Sequence, residues 1–293
     1  MESHNDVLHQ MEKVRSVFQD ALLVSREQSD FHVFEAYLKN VALEFRSVAY
    51  EGIGLGLALK DFADGSLRLW RLFVEQSEPS YASHAYIGLG WAIAKQKLPS
   101  LEFLEIPDPL LRSRVIDGYG YYDGTFRPKY ISNQERPAGI ENKDFQSYDQ
   151  GLGRSLWYSC NALIKEVSKR IQDFSSSRHP DLWRGIGIAC AYVGGCDRNM
   201  LTEILSASGK HKNQLAVGAA IAIKARVQTD SLTKNTELIC HSLCNHSIQD
   251  ITSLMINAES LFFTNPDRTY RDWLLKIDEG LLKVINLPAG ILN

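Results

Sequence analysis

Residues 50–62, YEGIGLGLALKDF, set glycines at 52, 54 and 56 with apolar side chains between them. Such spacing invites a dinucleotide-binding loop, in which glycines let backbone amides approach a pyrophosphate after a β-strand. That loop is used once per domain. Here the motif returns: Gly88 and Gly90 in AYIGLGWAIA, Gly118 and Gly120 in IDGYGYYDG, Gly151 and Gly153 in DQGLGRSLW, Gly185 and Gly187 in LWRGIGIACAY, with a degenerate sixth copy, Gly218 and Ala220, in LAVGAAIAIKA. Successive first glycines lie 36, 30, 33, 34 and 33 residues apart, a period that belongs to paired-helix repeats. A glycine inside a helix costs about 1 kcal/mol relative to alanine. Closer approach of a neighbouring backbone offsets that cost, so these glycines read as spacers and not as a phosphate cradle.

The intervening segments support helices. SHAYIGLGWAIAK is rich in Ala, Leu and Ile, and DLWRGIGIACAYVGG ends in Gly194 and Gly195, a C-terminal stop. CNALIKEVSKRIQDF carries apolar residues at 163, 164, 167 and 171, the stripe of an amphipathic second helix, and SSSRHPD follows it as a turn. Strand signals are almost absent. The expected fold is all-α: about six helix pairs over residues 46–228, a TPR-like α-solenoid, either open or closed into an α/α toroid. Helices within residues 1–45 precede it, and a helical cap over 229–293, containing Trp273, completes one continuous domain.

The 293 residues carry 32 basic and 35 acidic side chains, a formal charge of −3, with no block of like charge. No nucleic-acid footprint is therefore expected. Five cysteines, at 160, 190, 196, 240 and 244, are an odd number that fits reduced thiols. The N-terminus lacks the basic start and apolar run of a signal peptide, and GIGIACAYVGG at 185–195 is too short to span a membrane. These features predict a cytoplasmic protein without a membrane span.

YEGIGLGLAL, GLGWAIAK, DPLLRSRVIDGYGYYDGTF, FQSYDQGLGRSLWY, RHPDLWRGIGIACAYVGG and NQLAVGAAIAIKAR resemble, in this order, the motifs of the domain-of-unknown-function 1702 family, bacterial proteins often labelled enediyne biosynthesis proteins. The resemblance covers roughly residues 45 to 270. It places Glu51, Asp117, Gly118, Tyr119, Gly120, Asp149, Gln150, Gly153, Arg154, Trp157, Asp181 and Trp183 at family-motif positions without giving any of them a role. It implies an association with iterative polyketide synthases, which is a setting and not a mechanism.

Chemistry is best sought among polar residues attached to the glycine pairs. Glu51 and Asp117 immediately precede a first glycine, and Asp149 lies two before Gly151. In a regular array these three occupy nearly equivalent places on successive helices. They are candidate catalytic acids and bases, since crowded carboxylates in a partly dry groove shift one another's pKa. The competing reading makes them helix caps or partners of arginines such as Arg112, Arg154 or Arg184. Candidate binding residues are His84, Trp91, Tyr119, Tyr122, Arg154, Trp157 and Trp183, suited to an extended apolar ligand or equally to core packing.

Cys240 and Cys244 in CHSLCNH, with His241 or His246, invite a metal site, but the spacing is not Cys-x-x-Cys and buried thiols are the simpler reading. Ser155 lies in a helix and not in a nucleophile elbow. Neither a metal nor a cofactor is expected. Segment 126–145, with two prolines and a glycine, reads as a lid or a connector.

Two functions follow from different classes. One is an accessory protein of a polyketide-type pathway that binds a hydrophobic small molecule or a partner enzyme in a helical-repeat groove. The other is a cofactor-independent cyclase, isomerase or hydratase acting on an unsaturated polyketide or isoprenoid chain, in the manner of a terpene cyclase.

Overall fold

Every glycine pair lies inside a helix. The computed structural model describes residues 2–97, 106–132, 135–137, 139–264 and 267–285, and all regular structure among them is helical. The glycine-bearing helices are α3 (Leu43–Ala63), α5 (Pro79–Gln96), α6 (Pro109–Phe126), α8 (Phe145–Ser159), α10 (His179–Val193) and α12 (Lys212–Gln228). Around them run α1 (Glu2–Glu27), α2 (Phe31–Asn40), α4 (Arg68–Gln76), α7 (Lys129–Ser132), α9 (Ile164–Gln172), α11 (Arg198–Ser208), α13 (Lys234–Ile239), α14 (Ile248–Thr264) and α15 (Tyr270–Ile285). No helix among the described residues is long and apolar enough to cross a membrane.

Local chemistry sets the helix ends. Proline opens α5, α6 and α10, where its missing N–H costs nothing. The Asp108 side chain caps α6 by accepting from the Leu110 and Leu111 amides at 2.7 and 3.2 Å. Gly194, at φ +76°, ends α10 as its sequence predicts.

Residues two apart on an α-helix point about 200° apart, so a Gly-x-Gly pair bares the backbone on two opposite faces. The structure uses both. A Cβ added at the first glycine would fall on a carbonyl of the preceding helix: Gly88 on Glu51, Gly118 on Ile87, Gly151 on Asp117, Gly185 on Gln150 and Gly218 on Arg184. One added at the second would fall on the following helix: Gly54 on Ala85 (2.7 Å from its oxygen), Gly90 on Val115, Gly120 on Tyr148, Gly153 on Leu182 and Gly187 on Leu215. Each helix is thus wedged between its neighbours in the order α3, α5, α6, α8, α10, α12, with α1 before α3.

The second helices lie outside this layer and are unequal. In α4, α9 and α11 an apolar stripe, such as Ile164, Val167 and Ile171, is buried against the layer. α7 has only four residues, and α13 runs into a π-helical turn over Cys240–Cys244. Residues 98–105, between α5 and α6, lie outside the described residues, as does the end of the expected cap beyond 285. The core has two parts, and α1 belongs to both: Ala21 packs with α2–α6, whereas Val7 and Met11 pack with α8–α15. The Tyr81 hydroxyl, at the start of α5, donates to the Thr229 carbonyl just beyond α12 at 3.0 Å.

These wedges make a prediction. Alanine ordinarily favours a helix over glycine, but Gly151→Ala should cost about 2–3 kcal/mol in urea unfolding, because its methyl meets backbone that cannot yield. Gly280→Ala, whose methyl meets only the flexible Leu254 side chain, should change stability by less than about 1 kcal/mol.

Candidate functional site

Identical wedging puts six helices in one register. The residues just before each first glycine, Glu51, Ile87, Asp117, Gln150, Arg184 and Val217, are therefore equivalent, and residues three or four away share their face. That face holds His84 on α5, Arg114 and Tyr121 on α6, and Arg154 on α8.

Its polar groups form a chain. Tyr270, from α15, donates its hydroxyl proton to Gln150 Oε1 at 2.8 Å, and Gln150 Nε2 donates to Asp117 Oδ2 at 2.8 Å. Asp117 Oδ1 accepts from Arg154, whose guanidinium lies 5.1 Å from the Tyr121 ring centre. Burial works against the Arg154 charge, but the Asp117 and Glu51 carboxylates override it and hold its pKa above the usual arginine range. Glu51 Oε1 is 3.6 Å from His84 Nδ1, which has no hydrogen-bond partner among the described residues. Burial pushes the His84 imidazole below its ordinary value, against the pull of Glu51. Burial first, and then Glu51, lifts the Tyr192 hydroxyl to about 12.

Glu51 and Asp117 therefore act on one arginine, and Asp149 stands apart. Asp149 occupies the next position round the helix, turned about 100° from Gln150. It is fully buried and accepts from Arg178 Nε at 3.1 Å and from Arg178 Nη2 at 2.5 Å, with Arg136 as a further partner. The true equivalent of Glu51 and Asp117 on α8 is Gln150.

The aromatic candidates are spread through the interior. Trp157 is fully buried and Trp183 nearly so, both within the α8–α15 core. Trp91 packs against Phe18 and Tyr121 with ring centres 4.8 and 5.0 Å apart. Tyr119 neighbours Tyr148, and Tyr122 lies beneath the Arg127 guanidinium. Asp123, fully buried, accepts from Arg127 Nη1 at 2.9 Å and from the Tyr148 hydroxyl at 3.0 Å.

A cavity of about 560 Å³ opens where α5, α6, α8, α12, α14 and α15 converge. Leu110, Leu111, Ile221, Phe262 and Trp273 give it apolar walls, and Gln150 and Tyr270 connect it to the polar chain. Its volume suits a small organic ligand. Of the residues named singly at family-motif positions only Gln150 lines it, beside Arg114 and Lys224, which lie within the quoted motifs but were not singled out. Arg114 lies three residues before Asp117, so the glycine register could have found it. Tyr270 and Lys224 carry no comparable signal.

The remaining motifs are accounted for by packing. Cys240 Sγ donates to the His246 carbonyl at 3.3 Å and Cys244 Sγ to the Ala216 carbonyl at 3.5 Å, both from buried positions. Among the described residues no three His, Cys, Asp or Glu side chains are placed to hold a metal ion. Segment 126–145 is fastened along its length, except at residues 133, 134 and 138, which lie outside the described residues. Arg127 donates to the Ala94 carbonyl, Arg136 reaches Asp149 and covers the Phe145 ring at 4.1 Å, and Arg112 holds Asp144.

Residues 1–281 match the family described as protein of unknown function (DUF1702), and the chain belongs to that family. The match takes in the N-terminal helices and segment 126–145, beyond the motifs that carry the resemblance in sequence. No curated protein and no solved structure matches the chain.

Asp123 makes the electrostatics testable. Burial pushes its carboxyl from 3.8 up to about 6, against the pull of Arg127. The folded chain thus takes up this proton at a higher pH than the unfolded chain, so Asp123 adds stability as pH falls through about 6 and removes it as pH rises. Urea unfolding of wild type and Asp123→Asn between about pH 4 and 7 should show the wild type gaining on the variant toward acid. Parallel curves would mean that Arg127 keeps Asp123 ionised throughout.

Proposed function

We propose that this member of the family is a binding protein for an apolar small molecule, taken up in the cavity between α5, α6, α8, α12, α14 and α15. The cavity itself carries this reading: five large apolar side chains surround a space of ligand size, and a hydrogen-bonded polar chain forms one end. The carboxylates support it too. Asp117 and Asp149 each answer a buried arginine, which suits structural ion pairing better than proton transfer. In this reading the helix pairs form a TPR-like solenoid, curled so that its inner face encloses the cavity. The protein works in the cytoplasm as an accessory of a polyketide-type, enediyne-like pathway, holding an intermediate for a partner enzyme.

A second reading rests on Glu51 and His84, whose facing atoms lie 3.6 Å apart in a buried setting where a proton could pass between them. It makes the protein a carboxylate-dependent cyclase, isomerase or hydratase of an unsaturated chain.

Native mass spectrometry of protein recovered from producing cells should find a retained small molecule. Phe262→Asp, which puts a charge on the cavity wall, should lose that molecule while its circular dichroism is unchanged. Capture of a synthase with no small molecule would move the function to protein docking. Folded Glu51→Gln and Asp117→Asn variants that leave product formation unchanged in a reconstituted pathway would end the enzyme reading.

A further inference from the structure

The four charged residues lining the cavity, Asp108, Arg114, Lys224 and Glu259, sum to zero but are not all paired. Asp108 is engaged in capping α6, and Glu259 pairs with Lys224. Arg114, half-buried on the cavity wall, has no hydrogen bond and no ion-pair partner among the described residues. Besides burial, the main cause in each case, Arg114 acts on Lys224 of α12 and Tyr270 of α15, two lining groups on separate helices, and on His84 of α5, which lies outside the lining. A second polar group is also unanswered: Trp273, 3 % exposed, lines the cavity, and its indole N–H has no acceptor among the described residues. A guanidinium held beside apolar walls without a counter-ion is costly, and it is stabilised when an anion arrives with its own apolar body.

We propose that the cavity binds a carboxylate at the end of an apolar chain, with the carboxylate on Arg114 and the chain against Leu110, Leu111, Ile221, Phe262 and Trp273. This rests on the binding function proposed above and names the ligand's chemical class. Arg114 is the one cation of the lining without a directly paired carboxylate among the described residues, and a single ligand carboxylate supplies that contact. A phosphate monoester brings about −1.5 to −2 and would leave charge unpaired. The planar fork of Arg114 also matches a carboxylate in a two-pronged geometry that an alcohol cannot offer.

Calorimetric titration of the full chain with dodecanoate, dodecanol and dodecyl phosphate separates the outcomes. Dodecanoate should bind at least about tenfold more tightly than dodecanol, as expected for one charge-assisted pair. Arg114→Gln should abolish that preference while binding dodecanol as the wild type does, and Arg114→Lys should keep part of it. Equal binding of acid and alcohol by the wild type would overturn the anion site and leave the apolar cavity standing. Tighter binding of dodecyl phosphate, lost in Arg114→Gln, would overturn the carboxylate in favour of a phosphate. Absence of binding by all three to folded protein would overturn both the anion site and the proposed binding function.

Discussion

The structure depends on backbones meeting without side chains between them. Each glycine-bearing helix touches its predecessor through its first glycine, and those from α3 to α10 touch their successor through their second, because two residues carry the helix about 200° round its axis. The intrinsic cost of two glycines per helix is about 2 kcal/mol. It is offset by dense apolar contact on both flanks, where Ile53, Leu89, Ile116, Leu152, Ile186 and Ala219 are buried. A β-methyl at any of these points would lie on a carbonyl group, so the helices have little room to slide or rotate.

From that register comes the inner face. The same helical position is presented six times, as Glu, Ile, Asp, Gln, Arg and Val, and these side chains are carried into a shared interior. Buried charges there survive by pairing: Asp117 with Arg154, Arg184 with Asp181, and Asp149 with Arg178 on a neighbouring face. α1 and α15, which lack Gly-x-Gly pairs, complete the interior from outside the repeat. α1 reaches from α3 to α10, and α15 brings Tyr270 to Gln150. Arg114 departs from this rule of pairing, and it does so where the protein is hollow.

Much of the fold was legible because packing of this kind needs a particular residue at a particular interval. Five Gly-x-Gly pairs at a period of about 33 expose the helix spacing, and proline openings and the Gly194 stop expose helix ends. The candidate site was only half legible. Glu51 and Asp117 share a position and act on the same arginine, but Asp149, one residue off the register, faces Arg136 and Arg178 instead. A displacement of one residue turns a side chain by about 100°, enough to move it to another cluster. Trp157 and Trp183 are equally deceptive, since an aromatic residue near a motif reads the same whether it lines a cavity or fills a core.

By itself the sequence determined that the chain is helical, where its glycine-bearing helices fall, and that they stack through bare backbone, because these are local and periodic properties. Only the tertiary structure decided which charges are answered. Tyr270 meets Gln150 across 120 residues and Glu259 reaches Lys224 across 35, and neither meeting leaves a mark in local spacing. The first glycine pair, in YEGIGLGLALKDF, shows both sides: its spacing announces a packing device, whereas the 3.6 Å approach of Glu51 to His84 exists only because α5 is pressed against α3.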